Sequence, residues 1–408
     1  VKFDVRIARR DLIVFGLALG AVACVTFPQP RPFVVDSVAP PPAPIRPPRA
    51  PDVWRERGLV AVRIAAVERR ALVFVEHDGR RKRITRSNMG VAIDAGREQD
   101  LVVVGEPGGD GEFEFEGRRY RGALAVHAHP NEGLRVENWV ELEDYVAGVV
   151  ASEVVLWDAP PALLEAQAVA ARSFAVATLS ARAKSDRAFL WDGVEDQAYR
   201  GVFVPDSAST ARGLDTRLAK AVAATRGRVL VHGRVPFDAR FHASCGGHTA
   251  EGRLVFGPSA PPGPAVTCPG CVADANWEKR FNSADLARAA EELGTSRFTR
   301  VASTRNDPHG RWLEVELRGA NGVFPVAAGE LRRALGWGAL PSTRVLEWVP
   351  LADGGAKVIG RGRGHGVGLC QDGARHFAEK GFDAAAILAH YYPGSALAPV
   401  TLPSGAAR

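Results

Sequence analysis

Several function classes lose their support from what this 408-residue chain lacks. Its charge surplus is slight, with 52 Lys and Arg against 46 Asp and Glu for a net of +6, too little to argue for a nucleic acid. It carries no zinc-finger or RNA-binding signature and no basic stretch interleaved with aromatics, which make up 8% of its residues. Nucleic acid is therefore not an expected partner. A nucleotide loop also fails: the glycines of Gly360–Gly368 fall only at alternate positions, so the odd offset that GxGxxG needs is missing. The N-terminal apolar run, Leu12–Ala23, is short for a permanent helix across a bilayer.

What the N-terminus does have is the order of a secretory signal. Lys2, Arg6, Arg9 and Arg10 precede that run, and small residues lead to Cys24, so export to the cell envelope is expected. Gly20–Cys24 is also similar to a bacterial lipoprotein signal, with Ala21 where leucine is usual. Cleavage near Ala23, lipidation at Cys24 and an uncleaved membrane anchor all stay open. Residues 25–52 are rich in proline and predict an extended, semi-rigid tether. Residues 53–130 alternate short β-branched runs (Leu59–Ala65, Leu72–Glu76, Leu101–Val104, Glu112–Glu116 and Ala123–His127) with turns, a β-rich module. The cluster Arg80–Arg83 reads as a solvated hairpin end.

The remainder, 131–400, reads as a mixed α/β body, which makes the whole an α+β protein. It is organised around Gly148–Ala183. From Ala162 to Ala183 there is no glycine or proline and much alanine, the best helix former. Asp158 is a candidate cap, with Pro160 or Pro161 in the first turn. Apolar residues lie on nearly every side, so a long buried helix is predicted, and Gln167, Arg172 and Ser173 within it need partners. Glu153 sits among Val149, Val150, Val154 and Val155. An apolar setting raises a carboxyl pKa and suits it to general-acid work; attraction to a helix N-terminus is the plainer alternative. Further along, a helix over Ser209–Thr225 precedes a hairpin of Arg228–Val231 with Val235–His242. Helices follow at Ser283–Leu293, Ala327–Leu335 and Asp383–His390, with a strand pair of Phe298–Val301 and Trp312–Leu317.

Six segments, in order, carry a likeness: Glu143-Asp144-Tyr145, Ser152-Glu153, Ala166–Phe174, Phe241–Thr249, Gly364–Gln371 and His390–Gly394. Together they resemble the stage II sporulation protein D family, which includes the LytB amidase-enhancer domains. The likeness spans roughly Leu59–Val400. It implies a cell-envelope protein and a lytic transglycosylase acting on peptidoglycan strands stripped of stem peptides. The family's catalytic glutamate falls on Glu153. That residue would protonate the glycosidic oxygen between N-acetylmuramic acid and N-acetylglucosamine, then take the proton of the muramic C6 hydroxyl as a 1,6-anhydro ring closes. No catalytic cofactor is implied. Gln167, Arg172, Tyr199, His242, Ser244, His365 and Gln371 are candidates to line the glycan groove, although Gln167 and Arg172 also suit buried structural roles. The alternative implied by LytB is a non-catalytic glycan-binding protein that stimulates a cell-wall amidase. Val154 and Val155 stand where Met and Pro often follow the family's Ser-Glu.

Beside Cys24 there are Cys245, Cys268, Cys271 and Cys370. Cys268-Pro-Gly-Cys271 has zinc-ribbon spacing. The resemblance brings the motif carrying Cys370 near His242–Thr249, so the four thiols are expected to meet as a structural zinc site or as two disulfides. His242 or His248 remains an alternative ligand.

Overall fold

The computed structural model describes residues 58–400 apart from 68–70, 77–78, 87–89, 95, 98, 107–108, 110, 130–132, 184–188, 203–207, 261–262 and 272–274. The expected signal, Cys24 and the proline-rich tether lie outside the described residues. Eight α-helices and several sheets among the described residues give an α+β protein.

Two helices hold the centre. Helix α1 (Leu142–Glu153) leads through a short turn to α2 (Pro161–Arg182). The middle of α2, from Leu163 to Val176, is buried almost without interruption. By length and composition α2 could cross a membrane, yet most of it lies inside the protein. Its start differs from expectation. Pro160 is the N-cap and no side chain caps the helix, while Asp158 instead pairs with Arg375 at 2.9 Å. Asp158 stands two residues ahead of the cap, and the Pro160-Pro161 pair sets the helical entry without it. Helices α3 (Ala208–Ala224) and α4 (Gly252–Phe256) follow. Next come α5 (Ser283–Glu292) and α6 (Ala328–Leu335), then α7 (Gln371–Glu379) and α8 (Ala384–Tyr391). Helices α1, α3, α7 and α8 all pack on α2.

A five-stranded sheet runs in the order Leu190–Trp191, Leu59–Val67, Gly133–Glu141, Ala123–His129 and Leu101–Gly105. A second runs Val91–Ile93, Arg81–Arg86, Ala71–Glu76, Glu112–Phe115 and Arg118–Arg121. The basic cluster sits, as expected, at a hairpin end: Arg80 closes the turn with Glu76, Arg81–Arg86 pairs with Ala71–Glu76, and Arg80, Arg81 and Arg83 are exposed. Strand alternation explains this: Arg81 and Arg83 face outward while Ile84 is completely buried. Lys82 is 3.5 Å from Asp94.

The hairpin expected over Val235–His242 is shorter than drawn. Arg228–His232 pairs with only Val235–Pro236, and along its other edge with Ala396–Pro399. Pro236 has no N–H with which to continue the ladder. Phe241–His242 instead pairs in parallel with Leu369–Cys370.

Residues 277–360 form a detour with its own core of Phe281, Leu286, Leu331, Val315 and Val358. Its first strand, Trp277–Phe281, lies antiparallel to its last, Ala356–Gly360, with Trp277 opposite Gly360. Arg300–Asn306, Trp312–Gly319 and Gly322–Ala327 make a three-stranded sheet within it. Asn282 and Asp285 close a reciprocal cap at the start of α5.

Candidate active site and sulphur cluster

Glu153 is the last residue of α1, where the carbonyl end of the helix disfavours a negative charge. It is half-buried. The backbone N–H of Ala198 donates to its Oε1 at 2.8 Å, and the Gln371 side chain also bonds it. Burial raises its pKa; the Ala198 and Gln371 bonds and the nearby Arg200 charge only partly oppose that.

The loop that supplies Ala198 is fixed on both sides. Asp196 accepts two bonds from Arg182, at 2.7 and 2.8 Å. Gln197 accepts from Tyr145 Oη at 2.9 Å and donates to the Ala171 carbonyl. Ser152 Oγ accepts from the Arg200 N–H and donates to the Gly148 carbonyl. Close approach requires glycine at 148, because a Cβ there would meet Gly201 O and the Tyr199 ring at 2.6 Å. Beside Ser152 opens a cleft of about 380 Å³, lined by Gly148, Arg118, Arg119 and Arg200 among others; Glu153 is not part of its wall.

Gln371 opens α7 directly after Cys370. Its Nε2 is 3.5 Å from Oε1 of the wholly buried Gln167. Glu153, Gln371 and Gln167 thus form one chain of contacts. The other expected groove residues are placed differently. Arg172 is completely buried and gives Nε and Nη2 to Glu143, at 3.0 and 2.6 Å, and Nη1 to the Arg228 carbonyl. Tyr199 is buried, donates to Asn138 Oδ1 at 2.8 Å and stacks obliquely on Tyr145. Both hold the body together around the site.

His242 is buried with Nδ1 3.1 Å from the Val367 carbonyl, and its ring lies 5.5 Å from that of half-buried His365. Burial, helped by the Arg311 charge, lowers the His242 pKa to about 3. Burial and the neighbouring His242 carry His365 well below the usual range. Neutral rings in this position can accept or donate single hydrogen bonds. Ser244 is buried too, and its Oγ points to Cys271 Sγ at 3.5 Å.

The four cysteines do meet. All are buried and unbridged, with their Sγ atoms within 4.8 Å of one another. Cys271 Sγ lies 3.7 Å from Cys268 Sγ and 3.3 Å from Cys370 Sγ. Neither His242 nor His248 joins them: His248 stacks on His309 with ring centroids 4.2 Å apart. Hydrogen bonds among the thiols, that from Cys245 first, pull Cys268 far down and Cys271 to about 6. Burial together with the same contacts pushes Cys370 far up.

Sequence reasoning missed the Ala198 N–H, Phe256 and Arg311. Phe256 meets the His365 ring edge-on at 5.1 Å. Arg311 is 2% exposed, with Nη1 and Nη2 unpartnered among the described residues. No local signal marks either side chain, since each acts on a motif far along the chain.

Residues 130–232 match the family model SpoIID, described as stage II sporulation protein. The chain is 29% identical over 285 residues to stage II sporulation protein D of Bacillus amyloliquefaciens, covering 66% of this chain and 78% of that protein. Against the Bacillus subtilis protein of the same name it is 29% identical over 284 residues, covering 67% and 78%. An uncharacterized protein of Brachyspira hyodysenteriae is 28% identical over 285 residues, covering 69% and 73%.

Proposed function

Because the chain belongs to the stage II sporulation protein D family, we propose that it works on the cell wall as a lytic transglycosylase, cleaving the N-acetylmuramic acid–N-acetylglucosamine linkage of peptide-stripped glycan strands. Glu153 acts first as acid and then as base. The observation that carries this reading is a half-buried carboxyl with a raised pKa, held by one backbone N–H and one amide side chain.

In the first step the protonated Glu153 gives its hydrogen to the glycosidic oxygen as the bond to the muramic C1 breaks. The carboxylate then removes the proton of the C6 hydroxyl, whose oxygen closes on C1 to form the 1,6-anhydro sugar. The proton count balances on a single carboxyl, and no water has to be activated, so the second carboxylate of an ordinary glycosidase is not needed. The Ala198 N–H fixes Oε1 and steadies the anion formed between the two steps. Gln371 sets the orientation of the carboxyl. An exported protein held at the envelope would meet such strands.

The test is incubation of the purified protein with peptide-free glycan strands, followed by mass spectrometry. Anhydro-muramic ends that disappear with Glu153→Gln are expected. Intact strands, bound equally by both proteins, together with a faster cell-wall amidase, would replace this reading by the amidase-enhancing one. The cleft beside Ser152, walled by three arginines and apart from Glu153, is the feature that favours that second reading.

A further inference from the structure

The structure assigns to Cys245, Cys268, Cys271 and Cys370 a structural zinc site of four thiolates, which ties the turn at Gly246-Gly247 and the Pro269–Cys271 turn to the strand that delivers Gln371. The assignment does not depend on the proposed reaction; only its bearing on Glu153 rests on that reading.

Geometry comes first. Four sulphurs around a zinc ion at about 2.3 Å in a tetrahedron lie about 3.8 Å from one another. The separations of 3.3 and 3.7 Å, with all four Sγ inside 4.8 Å, fit that figure. A disulfide needs about 2.05 Å and joins sulphurs in pairs, whereas Cys271 here faces both Cys268 and Cys370.

Hydrogen-bond donors then surround the sulphurs. The N–H of Cys245 and that of Gly373 point to Cys370 Sγ, at 3.3 and 3.4 Å, and the N–H of Gly247 points to Cys245 Sγ at 3.4 Å. Ser244 Oγ donates to Cys271 Sγ, and Tyr391 Oη sits 3.1 Å from Cys268 Sγ. Such donors stabilise thiolates bound to a metal and orient them. The close fit depends on glycine: a Cβ on Gly373 would collide with Cys268 Sγ and Tyr391 Oη. Gly246 and Gly247 adopt φ of 73° and 119°, which bends the chain so that the Gly247 N–H reaches back to Cys245 Sγ.

Charge is the independent observation. Four thiolates and one Zn²⁺ leave two negative charges, and a dry interior requires a counter-charge. Arg311 is sealed inside with both terminal nitrogens unpartnered among the described residues, and it feels the Asp307 charge first and those of Cys245 and Cys370 after it. A Cβ at Gly366 would strike its guanidinium, so a glycine clears the space it occupies. Arg344 Nη1 adds a bond to the Cys245 carbonyl at 3.3 Å. A disulfide pair would leave Arg311 with Asp307 but without the sulphur charges.

Metal content of the full chain, purified without added metal, tests the assignment by elemental analysis and native mass spectrometry. One zinc per chain is expected, with four thiols that resist alkylation until a chelator is added. Cobalt(II) taken up by the emptied protein should show sulphur-to-metal charge transfer and the intense ligand-field bands of a tetrahedral site. Cys370→Ser should weaken zinc binding at least tenfold. Because that variant can lose its fold, Cys271→His keeps a ligand in place; it should retain one zinc and shift the cobalt bands. Two disulfides, iron in place of zinc, or zinc bound as tightly by Cys370→Ser as by the parent would each overturn the assignment. None of these readouts uses glycan cleavage, so a failed transglycosylase assay and a failed metal site remain separate results.

Discussion

Arg172 and Arg311 are both shut away from water, yet their surroundings are opposites. Around Arg172, on α2, every nitrogen of the guanidinium has an acceptor, and the Glu143 carboxylate that takes two of them also receives the Gly227 N–H. Around Arg311 the terminal nitrogens, His242 Nε2 and, farther off, Gln167 Nε2 are buried without partners among the described residues. Buried polar groups are ordinarily satisfied. The fully bonded region is scaffold, and polar atoms without partners gather around the two glycine-rich motifs. Glu153 lies between the two conditions, anchored by Ala198 on one oxygen and still able to exchange a proton.

The sharpest way to break this contrast is Glu153→Gln. Glycan cleavage should fall at least about 10²-fold, the ordinary contribution of a general acid. Stability should not fall with it. The folded pKa of Glu153 is raised, so the folded state holds its proton more tightly than the unfolded chain does. The carboxyl therefore costs stability once the pH rises above the ordinary carboxylate range, and glutamine removes that cost. Thermal melts at neutral pH should show an equal or higher Tm; a clear drop would mean that Glu153 belongs to the scaffold.

Arg172→Met attacks the satisfied side. It strands the Glu143 carboxylate and the Arg228 carbonyl, and should cost about 3–5 kcal/mol in denaturant unfolding. Arg311→Met should cost less than that but loosen zinc about tenfold, read by competition with a chelator. A reversed order would dissolve the distinction between the two arginines.

Acid is expected to reach the orphaned region early. His242 titrates at about 3 when folded against an ordinary 6.5, so below about 6.5 the unfolded chain takes up a proton that the folded one refuses. Stability then declines as pH falls through that window. His242→Asn should flatten the fall in Tm between about pH 7 and pH 5; an unchanged slope would count against the neutral, buried ring. A smaller effect, about 1 kcal/mol, is expected from Asn282→Ala, which removes the α5 cap and should leave zinc and glycan cleavage untouched. Least of all, Arg200→Gln removes a charge that holds the Glu153 pKa down. The alkaline limb of the pH–rate profile should move to higher pH by less than about one unit.

Much of this was legible from local pattern. The buried α2 announces itself by alanine, the absence of helix breakers and an apolar surface on all sides. The start of α5 and the stop at Gly294 follow from Asn282, Asp285 and the glycine itself. The meeting of the four cysteines was expected only through a resemblance. What local pattern does not carry is pairing at a distance. The strand Leu59–Val67 finds its partner at Gly133–Glu141, and the two-residue match of His242 with Cys370 sets the geometry of the site. The basic run Arg80–Arg83 marks the exposed end of its hairpin, while Ile84 reveals the buried face of the same strand. Nothing near Arg311 says that its guanidinium ends against Gly366.

The detour from Trp277 to Gly360 departs and returns through residues that face each other across paired strands. A segment whose ends meet in this way can be lengthened, trimmed or exchanged with little disturbance to the chain on either side. Here the freedom is limited by one debt. Arg311 grows from the detour and lodges against Gly366 in the body, so any graft that replaced the segment would have to hand a cation back to the same spot.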